Sequence, residues 1–509
     1  MIRIIIKETH SKIDYSKATA KEKAKSEEIL IEKFQAKDKS QEFNPMVRKG
    51  FVDPTVSFYI KERQIIPSGF IPYVRVYYRK NDIEFEQLDL RRFPKVNQDF
   101  LDQKIIKLKD KTARDYQHDA VSAAVKNKGG ILKLATGLGK SMIAAMLCRA
   151  YDKDKIMFLF DSVDLVLQTR EDLVKDYGFS PKEIGVIQAE NFEDDKRITL
   201  LSIQSYEKAF HILPEVKVII ADECHKTGRN PTSEKIIYCC QNAAVKIGLS
   251  ATPDLIENPV EQLRLYGTLG PIIYRKEIVE GIEEGNLSKI NVHIYEVKCD
   301  PIPVEGNYAD MYEWKKVKAG EDQAYIDAGY EIVTKKEKKF ARRFIKAGDE
   351  TNLYVNNKFR NEMIARIVRK HDRVLLLFRR DAHGENLKAL IPEAVLIGGK
   401  SSQKERNAAK KYLKENKKAI VIASHIWATG INIPEIETYA NAAAGASAIL
   451  ATQKLGRATR KSDATEKEKA VAIDFLDTFS GISSRQSWKR IKTYKERLKL
   501  PVKYIKEEV

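Results

Sequence analysis

Residues 131–150 read ILKLATGLGKSMIAAMLCRA. A strand-like run, Ile131–Leu134, gives way to a loop of small residues, Ala135–Ser141, and then to a helical run, Met142–Ala150. That order of strand, loop and helix is the context a phosphate cradle needs. Glycines let backbone wrap closely around phosphate oxygens, and amide groups at a helix start supply partial positive charge. Thr136, Gly137, Leu138, Gly139, Lys140 and Ser141 are therefore candidate nucleotide contacts. Lys140 would reach the β- and γ-phosphates and the Ser141 hydroxyl a magnesium ion. The strict pattern G-x-x-x-x-G-K-[ST] is broken at its first glycine, where Leu134 stands, so this loop alone also fits a structural glycine turn.

Working outward, apolar strand-like runs recur at 130–134, 155–160, 198–201, 216–221 and 245–249, separated by helical stretches. Strands alternating with helices imply a parallel α/β sheet. A second series follows at 374–378, 394–397, 419–423, 438–440 and 470–475, so two similar lobes are expected. In such sheets ligands sit at the carboxyl ends of strands. Asp222-Glu223-Cys224-His225 falls at such an end. Two adjacent acids there can divide two tasks: Asp222 holds the metal and Glu223 polarises the attacking water. A lone Asp-Glu pair is more often a solvated turn, but its position several βα units beyond the lysine loop favours chemistry. Gly248–Pro253, GLSATP, ends the next strand and brings Ser250 and Thr252 near the acids.

The chain has 90 Lys plus Arg against 72 Asp plus Glu, a formal charge of +18, which favours a polyanionic partner. Its 43% hydrophobic and 32% charged residues fit a soluble globular protein. Five scattered cysteines without a C-x-x-C pair support neither a zinc site nor a disulfide framework. No apolar run approaches the roughly 20 residues of a membrane span. A cytoplasmic protein is expected, in the host cytoplasm if phage-encoded. Residues 1–108 read as a separate small basic α+β domain, with a strand at 2–6, a helical stretch at about 17–37, and alternating segments at 56–60 and 73–78. The expected organisation is then a first lobe at 109–298, a charged connection or insertion at 299–350, a second lobe at 351–480, and a basic tail at 481–509.

Taken together, these segments resemble helicase superfamily two. Arg114-Asp115-Tyr116-Gln117 is similar to its adenine-recognising Q motif, Ala135–Ser141 to motif I, Asp222–His225 to motif II and Ser250–Thr252 to motif III. Ser424–Pro434 is similar to motif V and Gln453-Lys454-Leu455-Gly456-Arg457-Ala458-Thr459-Arg460 to motif VI. The resemblance implies two tandem RecA-like lobes using ATP and Mg2+. It implies further that Arg114, Gln117 and Gly430 contact nucleotide and that His225, Ser250 and Thr252 couple turnover to movement. Gln453, Arg457 and Arg460 would act on the γ-phosphate from the opposite lobe. Two arginines three residues apart share a helical face, and Arg460 is the choice for the arginine finger. Motif V often carries an acid where this chain has Asn432, so a charge is lost there.

Gln168, Thr169 and Arg170 (like motif Ia), Gln204 and Ser205 (the next strand-contacting motif), His383 (motif IV) and Ser424 would grip nucleic-acid phosphates without reading sequence. Trp314, Lys338 and Arg342 lie in an aromatic and basic stretch leading into KKEKKFARRFIK at 335–346, which can stack on bases and hold phosphates. The plainer alternative is an amphipathic helix with Phe340 and Phe344 packed inward. The set looks most like UvsW-type phage recombination helicases, which implies branched or forked duplex DNA as the partner, with branch migration, fork regression or unwinding as the work and recombination or replication proteins as associates. Three alternatives stay open: the motor subunit of a restriction or nuclease system, with only Asp82, Glu84 and Glu86 to suggest a nuclease centre; an RNA helicase; and a degenerate ATP-binding scaffold.

Overall fold

All ten strands expected of the two lobes form, because nearly every residue in them is apolar, the pattern of a buried parallel strand. The structure is a computed structural model that describes residues 1–42, 44–297, 312–327, 330–335, 338–344, 354–424, 435–445, 469–478 and 481–506. It divides into two units, residues 1–277 and 278–509.

In the first unit an eight-stranded sheet runs in the order Asn191–Phe192, Ile184–Gln188, Ile198–Ser202, Ile156–Phe160, Val218–Asp222, Val245–Ser250, Gly130–Leu134, Ile272–Lys276. Every pairing is parallel except the short hairpin at the first edge. The three strands that lead into the lysine loop, the acidic pair and the Ser-Ala-Thr segment are therefore neighbours.

The N-terminal residues build a four-stranded sheet in the order Ile65–Pro67, His10–Asp14, Ile2–Ile6, Phe85–Asp89. Ile2, Ile4 and Ile6 point to its core with the two-residue period of a strand. Thr19 and Glu22 form a capping box that starts the helix Ala20–Lys33. The segment 73–78, expected to alternate as a strand, is helical within Ile71–Lys80. Ile71, Val74 and Tyr78 recur at helical spacing and are buried, and Pro72 sits in the first turn, where a missing N–H costs nothing. This sheet shares its core with Val260 of the first lobe. Gly69 lies so close to the helix Pro259–Leu269 that an added Cβ would stand 2.3 Å from the Tyr266 carbonyl oxygen.

In the second unit seven parallel strands run in the order Val395–Ile397, Ile420–Ser424, Val374–Phe378, Thr438–Asn441, Lys469–Asp477, Lys289–Val297, Val502–Ile505. Two expected boundaries change here. Lys289–Val297, assigned to the first lobe by the range 109–298, pairs in register along the whole of Lys469–Asp477. Residues 481–506 are no tail, because the helix Gly481–Lys492 packs on the sheet and Val502–Ile505 forms its edge strand.

A separate three-stranded antiparallel sheet, Tyr312–Lys316, Lys338–Phe344 and Glu331–Lys335, has Lys338–Phe344 at its centre. The amphipathic-helix alternative for 335–346 is thereby corrected: Lys338–Phe344 is a strand, and its Ala341 packs inward with Val317 and Tyr330. Among the described residues no helix is long and apolar enough to cross a membrane.

Candidate active site

The lysine loop follows the strand Gly130–Leu134 and turns twice through left-handed glycines, Gly137 at φ +95° and Gly139 at φ +73°. A Cβ on Gly139 would lie 2.4 Å from Gln117 Nε2, so the loop closes only without a side chain there. Lys140 then opens the helix Lys140–Ala150, whose free amide groups face the loop. The Q-motif residues strap this loop in place. Gln117 Nε2 and the Tyr116 hydroxyl both donate to the Leu138 carbonyl, at 3.1 and 3.0 Å, and Gln117 Oε1 accepts from the Arg114 amide at 3.0 Å. Arg114 Nη1 donates to the Tyr116 hydroxyl at 3.1 Å. Tyr116 is thus a site residue that sequence reading quoted within its motif and gave no role; only its phenol, adjacent to two motif positions, could have signalled one.

From strands on either side of Val245–Ser250, Lys140 Nζ stands 3.4 Å from Glu223 Oε1, bringing together charges 83 positions apart in sequence. Asp222 ends its strand. Burial first, and then the charge of Glu223, push its carboxyl above the ordinary range, with Lys140 opposing. Glu223 itself adopts φ +45° and ψ +48°, a conformation that costs a non-glycine residue about 1–3 kcal/mol and that gathers at functional sites. His225 is buried, and burial lowers it to about 4, Glu223 opposing; the ring is neutral near pH 7. Its Nδ1 shares a hydrogen bond with Ser250 Oγ at 2.9 Å and lies 3.4 Å from Glu223 Oε2. Ser250 Oγ also accepts from the Thr252 amide at 3.0 Å. A continuous polar path therefore runs from the acidic pair to the Ser-Ala-Thr segment.

The hydroxyls of Thr136 and Thr252 are buried without a hydrogen-bond partner among the described residues. Buried hydroxyls normally find partners, so two orphans beside a lysine, two carboxylates and a helix N-terminus fit a phosphate-bearing ligand with its divalent cation. Ser141, exposed on the first turn of that helix, and Asp222 are the residues placed to hold such a cation.

Gln168, Thr169 and Arg170 are partly exposed on the helix Val163–Lys175, with Arg170 3.2 Å from Glu193 Oε2. Gln204 is exposed and donates to the Asp161 carbonyl at 3.1 Å, and Ser205 Oγ accepts from the Ala189 amide at 3.1 Å. These residues follow strands 156–160 and 198–202, so they share the sheet edge of the acids, about 14 and 19 Å along it from the lysine-loop strand at ~4.8 Å per strand.

In the second lobe, His383 departs from expectation. It is fully buried, its Nε2 lies 3.1 Å from Asn361 Oδ1, and burial plus the Arg360 charge lower it to about 3. A neutral imidazole inside the core contacts no DNA, so its place in the sequence pattern reflects packing of the helix Asp381–Leu390. Ser424 ends its strand, with a buried hydroxyl that finds no partner among the described residues. Trp314 and Arg342 are register partners across two strands, and Lys338 is exposed on the central one. Gly430, Asn432, Gln453, Arg457 and Arg460 lie outside the described residues.

This fold and site define a nucleoside triphosphatase whose lysine loop and acidic pair stand at the carboxyl ends of strands in a RecA-like lobe, with a second such lobe following. A family profile for the res subunit of type III restriction enzymes matches residues 110–255, and one for the helicase conserved C-terminal domain matches 359–462. The chain is 27% identical over 409 residues to the DNA 3'-5' translocase XPB2 of Sulfurisphaera tokodaii, covering 77% of this chain and 86% of that one. It is 24% identical over 378 residues to the ATP-dependent DNA helicase uvsW of phage T4, covering 71% and 68%. The fragment of a putative HsdR subunit of a type I restriction enzyme from Vibrio vulnificus shares the fold, with TM-score 0.53, 19% identity, and coverage of 77% and 68%. The chain is an ATP-dependent helicase of superfamily two, resembling the UvsW type.

Proposed function

We propose that this enzyme is a DNA translocase that remodels branched or forked duplex, by branch migration, fork regression or unwinding. The observation that carries the reading is the polar path Glu223–His225–Ser250–Thr252, on the sheet edge that also bears Gln168–Arg170 and Gln204–Ser205. On the other side of Glu223, Lys226 reaches Asp161 Oδ2 at 3.0 Å and the Asp161 carbonyl accepts from Gln204, so the acidic turn also touches a segment suited to phosphate contact. The relatives named as a DNA translocase and a DNA helicase support DNA over RNA. Mg2+ is the divalent ion this acid and hydroxyl pair suits. Bound, it would neutralise developing charge on the phosphates, while Lys140 orients them and Glu223 takes the proton of the attacking water. Gln453, Arg457 and Arg460 complete the site from the second lobe in this reading.

The small sheet supplies a candidate grip. Lys338, Phe340 and Arg342 stand at alternate positions of the central strand, and Trp314 is the register partner of Arg342. Such a mixture of cations and aromatics suits backbone phosphates and unpaired bases. Partners among recombination or replication proteins and a cytoplasmic location follow from the same reading.

The test is a labelled four-way junction and a replication-fork substrate incubated with ATP. Junction resolution into regressed or migrated products supports branched-DNA remodelling; translocation on linear duplex without any such products contradicts it. The restriction-subunit profile favours one second reading, a motor for a nuclease system, and ATP-dependent cleavage of the same substrates would establish it.

A further inference from the structure

A second cluster of cations stands at the opposite edge of the first sheet. The segment Lys128-Gly129-Gly130 enters the strand Gly130–Leu134 from the end away from the lysine loop, about 13 Å distant at ~3.3 Å per residue. All three residues have positive φ, at +58°, +118° and +127°. A Cβ on Gly129 would fall 2.7 Å from the Lys246 carbonyl oxygen, so no side chain fills this floor. Above it, between the N-terminal sheet and the first lobe, lies a cavity of about 110 Å3 whose walls include Arg75, Arg91, Lys128, Lys246, Glu8 and Asn127. A single water needs only about 10–15 Å3 of such space.

The charges there do not cancel. Arg91 is committed to Asp89, through bonds of 2.9 and 2.7 Å. Lys246 is buried, and among the described residues its ammonium donates to a neutral group, the Glu8 carbonyl oxygen. Burial, with Arg91 adding to it, lowers Lys246 to about 8 despite Cys240 and Glu8 opposing, the direction taken by a cation short of counter-charge. Arg75 Nε is buried and has no hydrogen-bond partner among the described residues. Lys128 is exposed at the rim, with its ammonium 4.2 Å from the centroid of the Phe93 ring. Against these stands the Glu8 carboxylate, which already accepts from the Arg92 amide at 3.1 Å.

We propose that this cavity is a second anion site, taking a phosphate group on Arg75 and Lys246 with Lys128 at its mouth. Arg75 and Lys128 line the same small space as the under-compensated Lys246 ammonium, and such a convergence of cations is what a tetrahedral oxyanion satisfies. The phosphate belongs either to a nucleic-acid backbone or to a small free phosphate compound. The site is separate from the ATP loop and does not depend on the branched-DNA reading.

The full chain, saturated with a non-hydrolysable ATP analogue and Mg2+ to fill the first site, is titrated with inorganic phosphate by calorimetry. One equivalent binds, and Arg75→Ala weakens it at least tenfold without changing affinity for the analogue. Lys246→Met does the same, and the half-buried Arg75 serves as the variant that keeps the fold. In parallel, affinity for an oligonucleotide duplex is measured across a salt series. A salt slope shallower by about 0.9 in Arg75→Ala assigns the phosphate to the nucleic-acid backbone; an unchanged slope with lost phosphate binding assigns a free compound. Wild-type protein that binds no phosphate and shows no slope difference from Arg75→Ala overturns the proposal, as does phosphate binding equally tight in both variants.

Discussion

Arg490→Met removes one half of a buried ion pair that holds the second lobe together. Arg490 and Asp474 are 2% and 3% exposed. Their contact is bidentate, Nε to Oδ2 at 2.9 Å and Nη2 to Oδ1 at 3.0 Å, and Nη1 also donates to the Gly445 carbonyl at 2.6 Å. Without the guanidinium, Asp474 keeps among the described residues only neutral donors: the Tyr494 hydroxyl at 2.6 Å, the Phe475 amide at 2.7 Å and Asn441 at 3.3 Å. Stranding one charge of a buried pair costs about 3–5 kcal/mol, a large part of the roughly 5–15 kcal/mol that keeps a domain folded.

The pH dependence reverses with it. In the wild type, burial raises Asp474 but the charge and hydrogen bond of Arg490, with Tyr494 and Phe475, bring it below its ordinary value. A carboxyl depressed on folding contributes stability that is present above the unfolded value of about 3.9 and lost as pH falls through the folded one. In Arg490→Met burial dominates, the folded carboxyl rises, and stability instead falls as pH climbs above about 4. Hydrogen exchange of peptides 289–297 and 469–477, read at pH 4.5 and 7, measures both effects. The double variant Arg490→Met/Asp474→Asn should recover part of the loss. A single variant within about 1 kcal/mol of wild type, with no pH trend of its own, would refute the reasoning.

Glu223→Gln keeps the shape of the acidic turn and removes the base, so kcat for ATP falls about 10²–10⁴-fold while ATP binding persists; steady-state turnover and nucleotide titration separate the two. Lys140→Ala abolishes hydrolysis and leaves DNA binding largely intact, checked by filter binding beside the ATPase assay. Gln117→Ala loses the hydrogen bond that braces the phosphate loop at Leu138 and the one that holds the Arg114 amide, each worth about 0.5–1.5 kcal/mol, and raises KM for ATP roughly 5- to 100-fold. Ser250→Ala breaks the His225 contact; ATP turnover stays within a few-fold of wild type while strand displacement per ATP falls, a ratio that would be unchanged if the contact carried no coupling.

What the sequence made legible follows from how local each signal is. The lysine loop, the acidic pair and GLSATP each announce themselves by a strand end and a few polar residues, and parallel α/β topology does the rest by putting three strands side by side. Lys289–Val297 was assigned to the wrong lobe because a strand's pattern names its faces but not its partner, and its pairing with Lys469–Asp477 spans nearly 180 residues. The segment 481–509 read as a tail because its basic residues outnumber its acids, yet Arg490 is basic in order to neutralise a buried aspartate. His383 matched a motif position, and only burial showed it to be packing. Arg75 and Lys246 came from two different domains, and no motif joins them.

The most direct test of the central claim is steady-state ATP hydrolysis by the full chain, alone and then with single-stranded DNA, linear duplex, a four-way junction and structured RNA, with Arg460→Ala as the control. The account predicts weak turnover alone, strong stimulation by DNA and greatest by the junction, and loss of that stimulation in Arg460→Ala. Stimulation by RNA alone, or no hydrolysis with any nucleic acid, would contradict it.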